Sequence, residues 1–186
     1  MDNKVCILCG MEINEKNYNI NSEAFLEENS LDLIKFCPFC GVSGEYISEK
    51  KSRIVKDKAL LDENILKIID HAVKLEMFNG DYYNKAAELA VDEKLKKMFK
   101  ALSRIEYTHA RIHQYLGGFK DTPVLSDIDY SKYNNDLMLK EIANKREIHA
   151  VEYYNRYNKK IKNDEINSIF NALEKVEIQH IELIEK

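Results

Sequence analysis

The sequence predicts an all-α fold, in which a four-helix bundle follows a small cysteine-rich metal module. The 186-residue chain contains only 2 prolines and 6 glycines, which favours long helices. From about residue 59 onward, apolar residues recur at intervals of three and four, as on one face of a helix. All 4 cysteines precede residue 41. We therefore divide the chain into a module at 1–46, a connector at 47–57 and a bundle at 58–186.

The helices of the bundle can be placed from their start and stop signals. The first follows the apolar stripe, and the second begins after Asp92, a residue type that caps helix N-termini, and stops at Gly117. A crossover of about sixteen residues follows. The third helix covers roughly 134–160, and Asn163 or Asp164 caps the fourth. Four helices with one long central connection form the ferritin-like version of the bundle.

An internal repeat identifies the candidate metal ligands. When the sequence is aligned with itself so that Glu76 lies on Glu147, the second pair of helices repeats the first. The repeated polar positions are Glu76, Tyr83, Glu106 and His109 in the first half, and Glu147, Tyr154, Glu177 and His180 in the second. Each Glu-x-x-His pair has the spacing that places both side chains on one helical face, one turn apart.

The charge of this constellation predicts a pair of metal ions. Four carboxylates at one level of a bundle need a strong counter-charge, which two divalent cations supply. Carboxylate oxygens with one imidazole per metal suit iron or manganese, in a pair ~3.5–4 Å apart. The predicted ligands are Glu76, Glu106, His109, Glu147, Glu177 and His180. Tyr83 and Tyr154 are predicted to hydrogen-bond a liganding carboxylate across the core.

Other residues of the bundle receive plainer interpretations. His71, His113 and His149 are expected to be ordinary core or surface histidines, and His149 should point away from the site. Gly80, one turn after Glu76, either permits a close approach of two helices or marks a π-bulge.

The cysteines form two Cys-x-x-Cys knuckles, each followed by a glycine that permits a tight turn. The four residues are Cys6, Cys9, Cys37 and Cys40. Four thiolates arranged in this way give a tetrahedral site for zinc or for a single iron, and the pattern does not distinguish the two metals.

Composition excludes several classes of protein. The net charge of −4 gives no basic surface for nucleic acid or an anionic membrane. No apolar run approaches the ~20 residues of a membrane span, and the N-terminus does not resemble a signal peptide. We expect a cytoplasmic protein, a setting in which cysteines are more often metal ligands than disulfides.

These motifs resemble known families. The knuckles are similar to rubredoxin, the duplicated Glu/Tyr/Glu-x-x-His bundle resembles the di-iron domain of rubrerythrins, and the module-first order resembles the reverse rubrerythrins. The resemblance covers nearly the whole chain. It implies a homodimeric oxidoreductase that protects against oxidative stress by reducing hydrogen peroxide, or dioxygen, at the di-iron site. Electrons would pass through a cysteine-bound iron, supplied where needed by a donor protein.

Two departures from that family keep a second function open. Asn144 stands where rubrerythrins usually carry an extra glutamate, and Met11 and Ile13 stand where rubredoxins often have aromatic residues. The alternative is a non-enzymatic protein that binds, senses or handles metal and carries a structural zinc ribbon.

Overall fold

The computed structural model describes residues 4–49, 61–126, 128–130, 132–133 and 135–186. Most of the predicted connector, 50–57, and the first residues of the predicted bundle, 58–60, lie outside the described residues, as does Asn134, the predicted start of the third helix.

The N-terminal module contains a small antiparallel sheet. Its strands are β1 (Lys4–Cys6), β2 (Glu12–Ile13) and β3 (Ile47–Ser48), in the order β2-β1-β3. Short 3-10 helices at Ser22–Ala24 and Gly44–Tyr46 complete the regular structure. Because Val5 pairs with Ser48, the module extends beyond the predicted boundary at 46. The first two residues of the predicted connector therefore belong to the module's sheet.

Four helices follow, and together they confirm the predicted all-α bundle. They are α1 (Glu63–Leu89), α2 (Glu93–Gly117), α3 (Asp136–Asn158) and α4 (Asp164–Glu185). Each begins after an Asp or Asn side chain that accepts a hydrogen bond from a backbone N–H in the first turn. The predicted caps Asp92 and Asn163 are confirmed. Gly118, with φ of 67°, closes α2 in the left-handed conformation.

The close approach of α1 and α2 depends on Gly80. A Cβ at this position would lie 2.7 Å from the ring of Tyr107, and the Gly80 carbonyl accepts a hydrogen bond from Ser103 Oγ at 2.9 Å. Since α1 is an α-helix along its whole length, Gly80 serves close packing and does not mark a π-bulge.

The module packs directly on the bundle. A Cβ on Gly41, in the second knuckle, would lie 2.8 Å from Val176 Cγ1 of α4, so the knuckle fits closely against that helix. Buried residues of the module and the helices form one continuous apolar cluster. Among the described residues, no helix combines the length and apolar character that a membrane span requires.

Candidate metal centres

The four cysteine sulfurs converge at the buried end of the module. Cys6 Sγ lies 3.7 Å from Cys40 Sγ, and Cys9 Sγ lies 3.7 Å from Cys37 Sγ. A disulfide would need about 2.05 Å. A tetrahedron with metal–sulfur bonds of about 2.3 Å has edges of about 3.8 Å, which is close to the observed separation. The residues present therefore fit a four-thiolate metal site.

Backbone hydrogen bonds shape both knuckles in the same way. Gly10 N–H donates to the Cys6 carbonyl and Gly41 N–H donates to the Cys37 carbonyl, with φ of 79° and 73° at the two glycines. Both conformations favour glycine, as the motif predicted. Phe25 stacks on Phe36 with ring centroids 5.5 Å apart, so the module contains an aromatic pair although Met11 and Ile13 are not aromatic.

The second centre lies inside the bundle, where the structure brings together all six predicted ligands. Glu76 and Glu147 come from α1 and α3, and the two Glu-x-x-His pairs come from α2 and α4. Each of the six side chains is no more than 1% exposed. Burying this many ionisable groups without compensation is prohibitively costly. Their charges must therefore be balanced by one another or by bound cations.

The six residues divide into two overlapping sets that could each hold one metal. One set is Glu76, Glu106, His109 and Glu177, and the other is Glu106, Glu147, Glu177 and His180. Within each set the candidate ligand atoms lie within 4.8 Å of one another. Because Glu106 and Glu177 belong to both sets, they are placed to bridge two ions. Glu76 and Glu147 each belong to one set only, so each is placed to bind a single ion as a terminal ligand.

Unsatisfied atoms support this assignment. Both carboxylate oxygens of Glu106, one oxygen of Glu177 and Nδ1 of His109 are buried without a hydrogen-bond partner. His109 Nδ1 lies 3.0 Å from Glu177 Oε1 without forming a hydrogen bond to it. Buried polar atoms are rarely left unsatisfied in folded proteins. Buried oxygen and nitrogen atoms that face one another without hydrogen bonds are the arrangement expected of ligands to divalent cations.

The electrostatics of the six groups are strongly coupled. Burial raises the pKa of Glu147 to about 8, and burial with the nearby Glu177 raises the pKa of Glu76 well above its usual range. Burial acts on Glu106 too, but the His109 and His180 imidazoles outweigh it and hold the pKa of Glu106 below its ordinary value. The terminal glutamates therefore keep protons that a metal would displace, while Glu106 stays ionised.

The tyrosines cross the bundle to the terminal glutamates. Tyr83 on α1 donates its hydroxyl hydrogen to Glu147 on α3, and Tyr154 on α3 donates to Glu76 on α1. Each phenol thus fixes one oxygen of the glutamate from the opposite half of the repeat.

Sequence reasoning missed the role of His113. This histidine is fully buried, and its Nε2 lies 2.8 Å from the Tyr154 hydroxyl oxygen. Since that hydroxyl gives its hydrogen to Glu76, His113 Nε2 is the donor. Burial and the nearby His109 lower the pKa of His113 to about 3, so the imidazole is neutral. The available signal was its position one turn after His109 on the same stripe.

A hydrogen bond links the two candidate metal centres. His109 Nε2, on the side of the ring away from the carboxylates, lies 2.9 Å from the backbone oxygen of Cys40 and donates to it. His109 therefore belongs to one of the two ligand sets in the bundle and also contacts Cys40 of the four-thiolate site. The equivalent atom of His180 is buried without a hydrogen-bond partner.

Three further residues lie outside the centre. Asn144 donates to Glu185 Oε1 at 3.2 Å and belongs to neither ligand set. His149 is exposed and belongs to neither ligand set, in keeping with its expected place outside the site. His71 packs on the ring of Tyr153 at a centroid distance of 5.0 Å.

Comparison with known proteins identifies the bundle. A family model described as Rubrerythrin matches residues 67–186, well over half of the chain. The chain belongs to the rubrerythrin family. Rubrerythrins bind iron, and the matched segment carries all six buried candidate ligands. No curated protein and no solved structure matches the chain. The thiolate module lies outside the matched segment and is consistent with a zinc-ribbon module.

Proposed function

We propose that this rubrerythrin is a non-haem di-iron oxidoreductase of the cytoplasm that reduces hydrogen peroxide to two water molecules and so protects against oxidative stress. Each turnover consumes two electrons and two protons. The observation that carries the proposal is the pair of ligand sets that share Glu106 and Glu177. Dioxygen is the second candidate oxidant.

The charges of the donor set support iron at this position. Four carboxylates and two neutral imidazoles match the charge of two divalent ions, and hard oxygen donors with one imidazole each suit iron, with manganese as the alternative. When bound, the metal pair would supply the electrons that cleave the oxidant's O–O bond. The chain's own residues would keep water away from the pair, since all six candidate ligands are buried.

The tyrosines and His113 support the proton side of the reaction. Tyr154 connects Glu76 to His113, so a hydrogen-bonded path leads from a ligand carboxylate toward α2. Tyr83 contacts Glu147 in the same way from the other half. Glu147, whose pKa is raised to about 8, can accept and return a proton near neutral pH, as general acid–base groups do.

The contact between Cys40 and His109 supports electron delivery within one chain. The thiolate module touches the di-metal set through this hydrogen bond, so iron in the module would lie directly beside the site it serves. Zinc has no redox chemistry and would make the module structural. In that case a separate donor protein would have to reduce the bundle site. A homodimer remains our expectation from the family.

Rapid mixing of the iron-loaded, reduced protein with peroxide tests the proposal. Reoxidation should be fast in the unaltered chain and absent in Glu106→Gln, which removes a charge shared by both metal positions and so leaves the bundle unable to hold the iron pair. Glu182→Gln, an exposed site on α4, is the matched control and should react normally. Equal rates in all three proteins would reject the proposal.

A second candidate function is supported by Asn144. Its side chain contacts Glu185 and adds no carboxylate to the site, which leaves the six-ligand set expected of a protein that binds, senses or handles iron without turnover. Such a protein would carry zinc in its module. Repeated additions of peroxide with a chemical reductant separate the two: an enzyme consumes many equivalents per site, whereas a sensor or store reacts once.

A further inference from the structure

A large cavity lies between α1 and α3, apart from both metal centres. Its volume is about 650 Å³, within the range of about 300–1,000 Å³ typical of sites for small organic ligands. Apolar walls come from Leu75 and Phe78 on α1 and Ile142 on α3, and Leu125 of the crossover contributes to the lining. The walls can therefore hold an apolar or aromatic body.

Two residues that line this cavity each carry a buried hydrogen-bond donor without an acceptor. Asn79 is only 1% exposed, and its amide nitrogen is buried without a partner. The Nε of Arg146 is likewise buried without a partner. The rest of the guanidinium is held in place: Nη2 donates to the Tyr130 hydroxyl at 2.7 Å, and the group lies 4.2 Å from the centroid of the Phe78 ring.

Unsatisfied buried donors are unusual, and both of these call for the same kind of partner. A small rotation of either side chain would present its donor to an acceptor oxygen in the cavity. Hydrogen bonds to an ionised acceptor are stronger than those to a neutral acceptor, most of all to a guanidinium.

The charge of the lining favours an anion. The lining contains the cationic side chains of Lys67, Lys74, Lys145 and Arg146, against the single carboxylate of Asp70. Lys74 is paired with Asp70 at 2.6 Å and Lys67 with Glu63 at 2.7 Å, so the positive charge available to a ligand comes from Lys145 and Arg146. Cavities lined mostly by one sign of charge concentrate ligands of the opposite sign.

We propose that this cavity binds a small organic anion. Its carboxylate, phosphate or sulfonate oxygens would accept hydrogen bonds from Asn79 and Arg146, and its apolar body would pack against Leu75 and Phe78. Such a site goes beyond the proposed peroxide chemistry and does not depend on it. Asn79 is one helical turn from Glu76, so an occupant would sit close to the di-metal ligands.

A matched pair of probes tests the proposal on the unaltered full-length protein by calorimetric titration. The probes are 2-naphthoate and its neutral counterpart 2-naphthamide, which share the same aromatic body and differ in the anionic group. We expect 2-naphthoate to bind once per chain, at least about tenfold more tightly than 2-naphthamide. Failure of 2-naphthoate to bind, or equal binding of the two probes, would overturn the proposal.

A variant locates the bound probe. Asn79→Leu keeps the side-chain volume but removes the amide donor, and should weaken 2-naphthoate binding about tenfold. Asn84→Leu makes the same change at an exposed position of α1 outside this cavity, and should bind normally. Unchanged binding in Asn79→Leu contradicts the proposed site. Binding that weakens as protein concentration rises would mean that a second copy covers the cavity, which also contradicts it.

Discussion

The two halves of the bundle supply the same candidate ligands but surround them differently. In the first half, Glu76 accepts a hydrogen bond from Tyr154, and His113 donates to that phenol at 2.8 Å. In the second half, Glu147 accepts from Tyr83, and the residue that matches His113 in the repeat is the buried Ile184. At this repeated position the first half carries a polar residue that contacts a tyrosine, and the second half carries an apolar one.

The two candidate histidine ligands also differ in the hydrogen-bond partners of their outer ring nitrogens. His109 donates its outer ring nitrogen to the Cys40 carbonyl at 2.9 Å, whereas the outer nitrogen of His180 is buried without a hydrogen-bond partner. Partners of this kind fix the ring tautomer and strengthen the ligand. We therefore infer that the metal position formed by Glu76 and His109 is the more rigid and tighter one. The position formed by Glu147 and His180 has more freedom to rearrange.

The largest expected effect separates bridging from terminal ligands. Glu177→Gln removes a charge shared by both metal positions and should abolish binding of both ions. Glu147→Gln affects one position and should leave about one ion per chain, because Glu106 and Glu177 still serve the other. Elemental mass spectrometry of iron-loaded protein gives the stoichiometry. One ion in both variants would contradict the assignment of Glu177 as a bridge.

We expect both halves of the bundle to make the stability of the metal-free protein depend on pH in the same direction. The pKa of Glu147 rises from 4.5 to about 8 on folding, so the folded protein keeps a proton that the unfolded chain releases within this window. Stability of the metal-free protein should therefore fall as pH rises from about 4.5 to about 8. The raised pKa values of His109 and His180 act in the same direction above about 6.5.

Metal ions compete with these protons, so the metal-induced gain in melting temperature should grow with pH. The measurement is thermal unfolding with and without metal at about pH 6 and about pH 8. A gain that shrinks with rising pH would show that the terminal glutamates are already ionised in the metal-free protein.

Removal of His113 tests the difference between the halves directly. His113→Leu deprives Tyr154 of its donor and should weaken one of the two metal affinities about 10–100-fold, the effect typical of losing an outer partner. Ile184→Leu alters the matching position without removing a hydrogen bond and should leave both affinities unchanged. Titration against a competing chelator resolves the two steps. Equal effects of the two substitutions would mean that the halves are equivalent.

The two tyrosines should also differ in stability. Tyr154→Phe leaves the buried Nε2–H of His113 without an acceptor, whereas Tyr83→Phe leaves no donor stranded in this way. We expect Tyr154→Phe to be more destabilising by about 1–3 kcal/mol in denaturant unfolding of the metal-free protein. In a His113→Leu background that extra cost should disappear, and its persistence would place its origin elsewhere.

A smaller effect is expected from helix packing in the first half. Gly80→Ala puts a Cβ 2.7 Å from the Tyr107 ring, and overpacking of this kind typically costs about 1–3 kcal/mol. Greater helix propensity offsets about 1 kcal/mol of that loss. The residue that matches Gly80 in the second half is Val151, so only α1 and α2 need the glycine. Unchanged denaturant stability in Gly80→Ala would show that Tyr107 moves without cost.

Much of this architecture could be predicted because its signals are local or repeated. Asp92 and Asn163 mark helix starts by side-chain chemistry, and the Glu-x-x-His pairs gain weight because they occur twice at the same separation. The pairing of Val5 with Ser48 joins distant segments, so the polar sequence after residue 46 suggested a connector where a strand forms.

Tertiary contacts account for the rest. A lone histidine such as His113 carries no pattern of its own, and its partner Tyr154 is on another helix. The α1–α3 cavity and the contact between Cys40 and His109 also depend on how elements pack, which periodicity does not encode.

Anomalous diffraction at the iron edge, from crystals of the iron-loaded protein, tests the central claim most directly. We predict two peaks about 3.5–4 Å apart, with Glu106 and Glu177 between them and one histidine beside each. A third peak among the four cysteine sulfurs would assign iron to the module, and its absence there would leave the bundle assignment intact. A single peak, or none, inside the bundle would contradict the di-iron site on which the account rests.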